Sequence, residues 1–371
     1  MHEVGVYVHI PFCLSKCYYC DFLSFSYDED FMVKYISKLL DEIARYNFSK
    51  VDTVFIGGGT PTILPPTLLN DVLTCISDLP LAANAEISIE VNPGTVTKEY
   101  LRMIKSSGVN RLSFGLQSTL NNQLALIGRT HTYEQFLESY VYAIEVGFSN
   151  INVDLIFGLP GQTSLAFEKT LTDVLNLEPQ HLSFYGLSLS EDTSLWLDVA
   201  MGKISLPDDE VERKMYHKAV QILKDNNYLH YEISNAAKIG YACVHNVDCW
   251  QHKPYIGFGL GAHSFDGKKR WSNPTNFDDY FSNVVIRHEV LSDEDLISEG
   301  MILGLRLLNG VDELAFESRY GVRPSTFFSS QICKLVHDGL LEHKSQRIRL
   351  TSLGLDLANR VFLQFLPGEK Q

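Results

Sequence analysis

The chain has 371 residues, 45% hydrophobic and 20% charged, enough to bury a large core and too much for one small module. That ordinary composition excludes wholesale disorder, collagen and coiled coil. Lysine plus arginine total 31 against 45 for aspartate plus glutamate, and the net charge of -14 argues against broad binding to nucleic acid or an anionic membrane surface.

Strand-like and amphipathic helical runs alternate through the first half. Val4 to Ile10 (VGVYVHI) reads as a strand, and residues 29–45 place Phe31, Met32, Tyr35, Ile36, Leu39, Leu40 and Ile43 on one helical face. The series continues as strand Val51 to Ile56, helix 65–78, strand Ala85 to Val91, helix 97–107, strand Arg111 to Gly115 and helix 133–146. It ends with strand Ile151 to Phe157, helix 164–177, strand His181 to Leu187 and helix 208–226. Six such units in succession predict an α/β fold, a parallel sheet with right-handed crossovers. An open doubly wound sheet and an incomplete barrel both fit, and both place a site at the C-terminal strand ends.

Residues 228–290 read as irregular, with Pro254, Gly257, Gly259, Gly261 and Pro274. Ser292 then reads as an N-cap ahead of Asp293, Glu294 and Asp295, and Gly310 as a stop. Helical stretches near 311–319 and 324–338, a hairpin over Leu340 to Leu350 and a last helix over 351–365 resemble a winged-helix unit. The expected division is a barrel domain 1–227, a connecting segment 228–290 that closes the barrel, and a C-terminal α+β domain 291–371. The start, Met1-His2-Glu3-Val4-Gly5, has no basic lead, and no run approaches the roughly 18 apolar residues of a membrane span. The expected location is the cytoplasm.

Three of the seven cysteines crowd into Cys13-Leu14-Ser15-Lys16-Cys17-Tyr18-Tyr19-Cys20, directly after the first strand. In a reducing compartment that pattern reads as metal binding. Soft thiolates at this spacing suit zinc or an iron–sulfur cluster. Structural zinc wants four ligands, usually as two separated pairs, and Cys243 and Cys249 do not make such a pair. Three ligands on one loop fit a cubane with one iron left open. Cys75, Cys243, Cys249 and Cys333 scatter, as unrelated cysteines do.

The triplet resembles the signature of radical S-adenosylmethionine enzymes. Tyr7-Val8-His9-Ile10-Pro11-Phe12-Cys13 is similar to the lead-in of the HemN/HemW group, oxygen-independent coproporphyrinogen III oxidase and the heme chaperones related to it. The resemblance covers nearly the whole chain. It implies an incomplete (β/α)6 barrel, a 4Fe-4S cluster on Cys13, Cys17 and Cys20, and S-adenosylmethionine chelating the open iron through its amino and carboxylate groups. Reduction would then cleave the sulfonium where that chemistry is used.

The same resemblance assigns the motifs that follow. Gly57-Gly58-Gly59-Thr60-Pro61-Thr62 looks like the family's strand end that holds the aminoacyl part of S-adenosylmethionine. Positions matching Tyr7, Gly58 and Glu90 contact the cluster-bound molecule. Those matching Gly59, Thr60, Gln117, Arg129 and Asp154 contact a second one in oxidase-like members. Asp154 lies among apolar residues, so it needs a partner inside the barrel, and Arg129 is the candidate. Tyr19 either supports the adenine or covers the site from solvent.

The two branches of the group differ at readable positions. The oxidase adds a cysteine two residues after the third ligand, where this chain has Phe22, and carries a longer segment before the first strand, for which no room is expected here. The chaperone branch has a Cys-Asp-Phe ending and a His-Asn-x-x-Tyr-Trp motif. This chain has Cys20-Asp21-Phe22 and His245-Asn246-Val247-Asp248-Cys249-Trp250, with cysteine where tyrosine is expected. The resemblance therefore implies a carrier that binds heme and passes it to acceptor proteins, in place of a coproporphyrinogen oxidase, and whether it also cleaves S-adenosylmethionine stays open. The oxidase is the alternative. His245 is a candidate heme contact and Cys249 a second one, or else the motif packs the second part of the chain onto the barrel, with Trp250 as anchor. A nucleic-acid role for the winged-helix-like tail rests only on Lys344, Arg347 and Arg349.

Overall fold

In a computed structural model, residues 4–284 and 288–367 are described, so Met1 to Glu3 of the expected start lies outside the described residues. Six strands carry the first half: β1 (Val4–Ile10), β2 (Val51–Gly58), β3 (Leu81–Val91), β4 (Arg111–Gln117), β5 (Ile151–Phe157) and β6 (His181–Gly186). They pair in that order and all in parallel. The helices that follow these strands are α1 (Glu29–Ala44), α2 (Pro66–Ser77), α3 (Lys98–Ser106), α4 (Asn121–Leu126), α5 (Tyr133–Val146), α6 (Ser164–Leu175), α7 (Ser194–Ala200) and α8 (Asp209–Asp225). A parallel sheet is covered on both faces, so its strands read as near-continuous apolar runs. Val6, Val8, Ile10, Val54, Ile56, Ile89, Leu112, Phe114, Val153, Leu155, Leu182 and Phe184 accordingly share one core with the inner faces of the helices. Side-chain caps start several helices: Asp28, Thr97, Thr132, Thr163 and Asp208 each accept a backbone N–H of the first turn. The expected boundaries hold within a few residues. The one- and two-turn helices α4 and α7 were not expected, being too short to show a period.

Residues 228–290 are a correction to the irregular reading. They form β7 (Leu229–Glu232), β8 (Asn235–Ala237), α9 (Val244–Trp250), β9 (Tyr255–Phe258), β10 (His263–Phe265), β11 (Lys269–Ser272), α10 (Phe277–Phe281) and β12 (Glu289–Val290). Strand β9 adds beside β1 in parallel, so the open sheet has seven parallel strands, and antiparallel strands extend both edges. Strands of two to four residues are too short for alternation to mark them in sequence.

The C-terminal part opens with α11 (Asp293–Gly304), capped by the reciprocal Ser292–Asp295 box. Further helices span Glu313–Tyr320 and Ser329–His337, and strands Val311–Asp312, Leu341–Lys344 and Arg347–Leu350 make a small antiparallel sheet. Its apolar centre, with Met301, Leu305, Ile348, Val361 and Phe365, is separate from the barrel core. Helices with a hairpin wing match the winged-helix expectation. Arg347 pairs with Asp312 at 3.1 Å and Arg349 with Glu342, so the wing's arginines are neutralised by neighbouring acids. Among the described residues no helix is long and apolar enough to cross a membrane.

Candidate functional site

The loop after β1 carries Cys13, Cys17 and Cys20, all free and half-buried. Its first turn is tied to the body of the chain: Cys13 N–H donates to Phe25 O at 2.9 Å and Phe25 N–H to Pro11 O at 2.8 Å. The Cys13 thiol lies 3.6 Å from Thr60 Oγ1, and Arg129 Nη1 points at Cys17 Sγ from 3.6 Å. Burial raises the thiol pKa of Cys13, against the pull of the Thr60 hydroxyl, and pushes that of Cys20 up to about 11. An iron centre reverses this, because a coordinating thiol gives up its proton to the metal's charge. Among the described residues no three Cys, His, Asp or Glu side chains converge on one metal ion. The exposed side chain at Phe22 adds no ligand.

Beside this loop, β2 ends in a tight glycine corner. Gly58 has φ +112°, and a Cβ there would fall 2.4 Å from the His9 ring. At Gly59 a Cβ would meet Phe12 O at 2.5 Å, so the strand end and the cluster loop touch through backbone. The amides of this corner are taken: Gly58 N–H donates to Glu90 Oε2 at 3.0 Å, Gly59 N–H to Ile10 O at 2.9 Å and Thr60 N–H to Phe12 O at 2.7 Å. What the corner has left for a ligand is acceptors, namely carbonyls, the Thr60 hydroxyl and the Glu90 carboxylate. An ammonium group, which only donates, is the complement of such a set. Burial, reinforced by the charge of Asp154, raises Glu90 to about 7, while the Gly58 amide and Arg111 act against the rise. Tyr7 donates toward His9 Nδ1 at 3.0 Å, and His9 Nε2 reaches Leu23 O at 2.9 Å, so His9 braces the loop.

Gln117, Arg129 and Asp154 line the same end of the barrel. Gln117 has φ +74° at a bulge in β4 and accepts from Tyr185 Oη at 3.3 Å. The Arg129 guanidinium is buried and bonds Gly115 O and Asn92 Oδ1 as well as facing Cys17. It makes no bond to Asp154, which corrects the expected pairing. Asp154 accepts instead from Asn152 Nδ2 at 2.8 Å and Ser113 Oγ at 3.3 Å, and burial raises its pKa, with Arg111 the cation that opposes the rise. Arg111 was missed in sequence: it heads a strand and is one of the largest fully buried side chains.

His245 lies at the other end of the barrel. Its Nδ1 meets Thr53 Oγ1 at 2.9 Å, near the start of β2, and its ring packs on Phe55 with centroids 5.5 Å apart. Glu86 receives the first amides of α9, from Val244 at 3.1 Å and His245 at 3.2 Å, and the Cys243 thiol at 3.5 Å. Burial, then the Arg111 charge, lowers His245 to about 4. The structure thus gathers Cys13, Cys17, Cys20, Tyr7, Gly58, Gly59, Thr60, Glu90, Gln117, Arg129 and Asp154 toward the C-terminal strand ends and leaves His245 at the floor.

The family profile of the radical SAM superfamily matches residues 7–174, and that of the HemN C-terminal domain residues 291–357. The chain is 36% identical over 367 residues to a protein named heme chaperone HemW of Lactococcus lactis, covering 98% of this chain and 97% of that one. It is also 36% identical to the Bacillus subtilis protein of the same name, over 98% and 99% of the two chains. The solved structure of coproporphyrinogen III oxidase (HemN) from Escherichia coli superposes with a TM-score of 0.85 at 24% identity, over 98% of this chain and 90% of that one, a likeness of fold.

Proposed function

The chain belongs to the HemW family of radical SAM proteins, and on that premise we propose that it is a heme chaperone, binding heme and passing it to acceptor proteins. The observation that carries the reading is similarity along the full chain to relatives of that name. Membership in the superfamily implies a 4Fe-4S cluster and S-adenosylmethionine. Cys13, Cys17 and Cys20 would hold three irons and leave the fourth open. Glu90 and the Gly58–Thr60 corner would accept hydrogen bonds from the ammonium of S-adenosylmethionine, and Tyr7 would close the site from below. When bound, the pair supplies one-electron chemistry at the sulfonium. Gln117, Arg129 and Asp154 are the side chains available to a second molecule at the same mouth. Arg129, beside Cys17, would offset the negative charge of a thiolate-bound cluster.

The test is an anaerobic heme titration of cluster-loaded protein, read by visible absorption. Saturable uptake of one heme per chain, followed by transfer to an apo heme protein, supports the chaperone. Absence of heme uptake together with decarboxylation of coproporphyrinogen would return the protein to the oxidase alternative.

A further inference from the structure

The apolar positions of β4, β5 and β6 face the helix-packed core, and the alternate positions face the barrel interior. Bulky branched residues are the usual filling of such an interior. Here it holds Ser113, Asn152, Asp154, His181 and Ser183, of which Ser113, Asn152 and His181 are buried. These side chains are joined by hydrogen bonds. Asn152 Nδ2 donates to Asp154 Oδ1 and to Ser113 Oγ, each at 2.8 Å, and Ser113 Oγ donates to Asp154 Oδ2 at 3.3 Å. On its other side Asn152 Oδ1 meets His181 Nδ1 at 2.6 Å and accepts from Ser183 Oγ at 3.2 Å. His181 Nε2 meets Tyr231 Oη of β7 at 2.7 Å, and Tyr231 Oη accepts the Cys243 amide at 3.2 Å.

The direction of this chain follows from its acceptor end. The Asp154 carboxylate only accepts, so the Asn152 amide turns its NH2 to it and its oxygen to His181. That oxygen requires a proton on His181 Nδ1. Burial, then the Arg111 charge, keeps the His181 pKa well below the usual range, so the ring is neutral. Nε2 is therefore a bare acceptor, and the Tyr231 hydroxyl donates to it. Every group donates toward the mouth.

We propose that His181 is a positioning residue: together with Tyr231 it fixes the Asn152 amide, and so holds Asp154 as an acceptor for the ligand of the barrel mouth. The assignment rests on the cofactor reading above, in which Asp154 is available to S-adenosylmethionine. The groups of that molecule that fit an acceptor are its ribose hydroxyls and its ammonium. His181 opens β6 on the floor side, fully buried, and acts only through Asn152. Without the Tyr231 hydroxyl the ring could carry its proton on Nε2. Nδ1 would then face the Asn152 oxygen lone pair to lone pair, the amide would flip, and its oxygen would meet the carboxylate of Asp154. That arrangement repels the ionised acid and removes the acceptor from the mouth.

The experiment is a calorimetric titration of S-adenosylmethionine into the cluster-loaded full chain and its variants, with cluster absorbance and circular dichroism as folding controls. Asp154→Ala should weaken binding about tenfold. His181→Leu should weaken it about fivefold, and should cost nothing more when added to Asp154→Ala, since its effect runs through Asp154. Two isosteres separate positioning from packing. Asparagine carries its amide nitrogen near the place of Nδ1, and glutamine near that of Nε2. His181→Asn should therefore stay within about twofold of wild type, while His181→Gln should fall with His181→Leu. Tyr231→Phe should lose about threefold, and its cycle with Asp154→Ala takes over should His181→Leu fail to load a cluster. Wild-type affinity in His181→Gln and Tyr231→Phe beside a weakened Asp154→Ala would overturn the assignment and leave the cofactor reading intact. Equal losses in His181→Asn and His181→Gln would also overturn it, leaving His181 a packing residue. Wild-type affinity in Asp154→Ala would remove Asp154 from the site and the proposal with it. A wild-type chain that takes up no S-adenosylmethionine would overturn the cofactor reading itself.

Discussion

The two ends of the barrel use similar residues in opposite ways. At the C-terminal end, three free thiols, a glycine corner and Glu90 present acceptors and candidate metal ligands, with one Glu90 oxygen already taking the Gly58 amide. At the floor, Glu86 takes the first two amides of α9 and His245 meets Thr53, while Arg111 is buried nearby with its Nε unpartnered among the described residues. A cysteine or histidine in a motif thus means different things at the two ends.

Substitutions should separate the ends cleanly. The largest effect is expected from Cys13→Ala, Cys17→Ala or Cys20→Ala, each of which should abolish cluster absorbance after reconstitution. Tm should change little, because half-buried thiols contribute little packing. Glu86→Ala should do the reverse. It strands the α9 amides and removes a counter-charge from Arg111, so urea unfolding should show a loss of about 3 kcal/mol with cluster loading retained. A stable Glu86→Ala variant would mean that α9 does not seal the floor.

Glu90→Gln sharpens the contrast at the mouth. A carboxyl raised from 4.5 to about 7 binds its proton more tightly folded than unfolded, so the ligand-free protein loses stability as pH rises through that window. Above pH 7 the variant should therefore be more stable than wild type, by up to about 3 kcal/mol. At the same pH it should bind S-adenosylmethionine about tenfold more weakly, having lost the partner of the ammonium. Equal affinity in calorimetry would remove Glu90 from the site. The smallest effect is expected from Thr53→Val, which removes one buried hydrogen bond to His245 and should cost about 1 kcal/mol in urea unfolding. Heme uptake in this variant should be unchanged.

Much of this was legible in sequence, for physical reasons. Buried parallel strands are continuous apolar runs, so Val4–Ile10 and Ile151–Phe157 match their expected limits. The cysteine spacing and the glycine corner are local, and local chemistry survives in one dimension. Strand β9 was not legible, because four residues between Pro254 and Gly259 carry no period. The partners of Asp154 were not legible either. Which cation comes near a buried carboxylate depends on barrel closure, and Arg129 turns instead to Cys17, Asn92 and the Gly115 carbonyl. Nor does the motif around His245 reveal in sequence that its histidine and its cysteine face different surroundings.

The most direct test of the cluster mouth is electron paramagnetic resonance of the reconstituted, dithionite-reduced full chain, with and without S-adenosylmethionine. The proposed site predicts one 4Fe-4S signal per chain whose g-values shift when S-adenosylmethionine is added, because Cys13, Cys17 and Cys20 would leave the fourth iron without a protein ligand. A chain that assembles no cluster, or a cluster whose signal ignores S-adenosylmethionine, would contradict it.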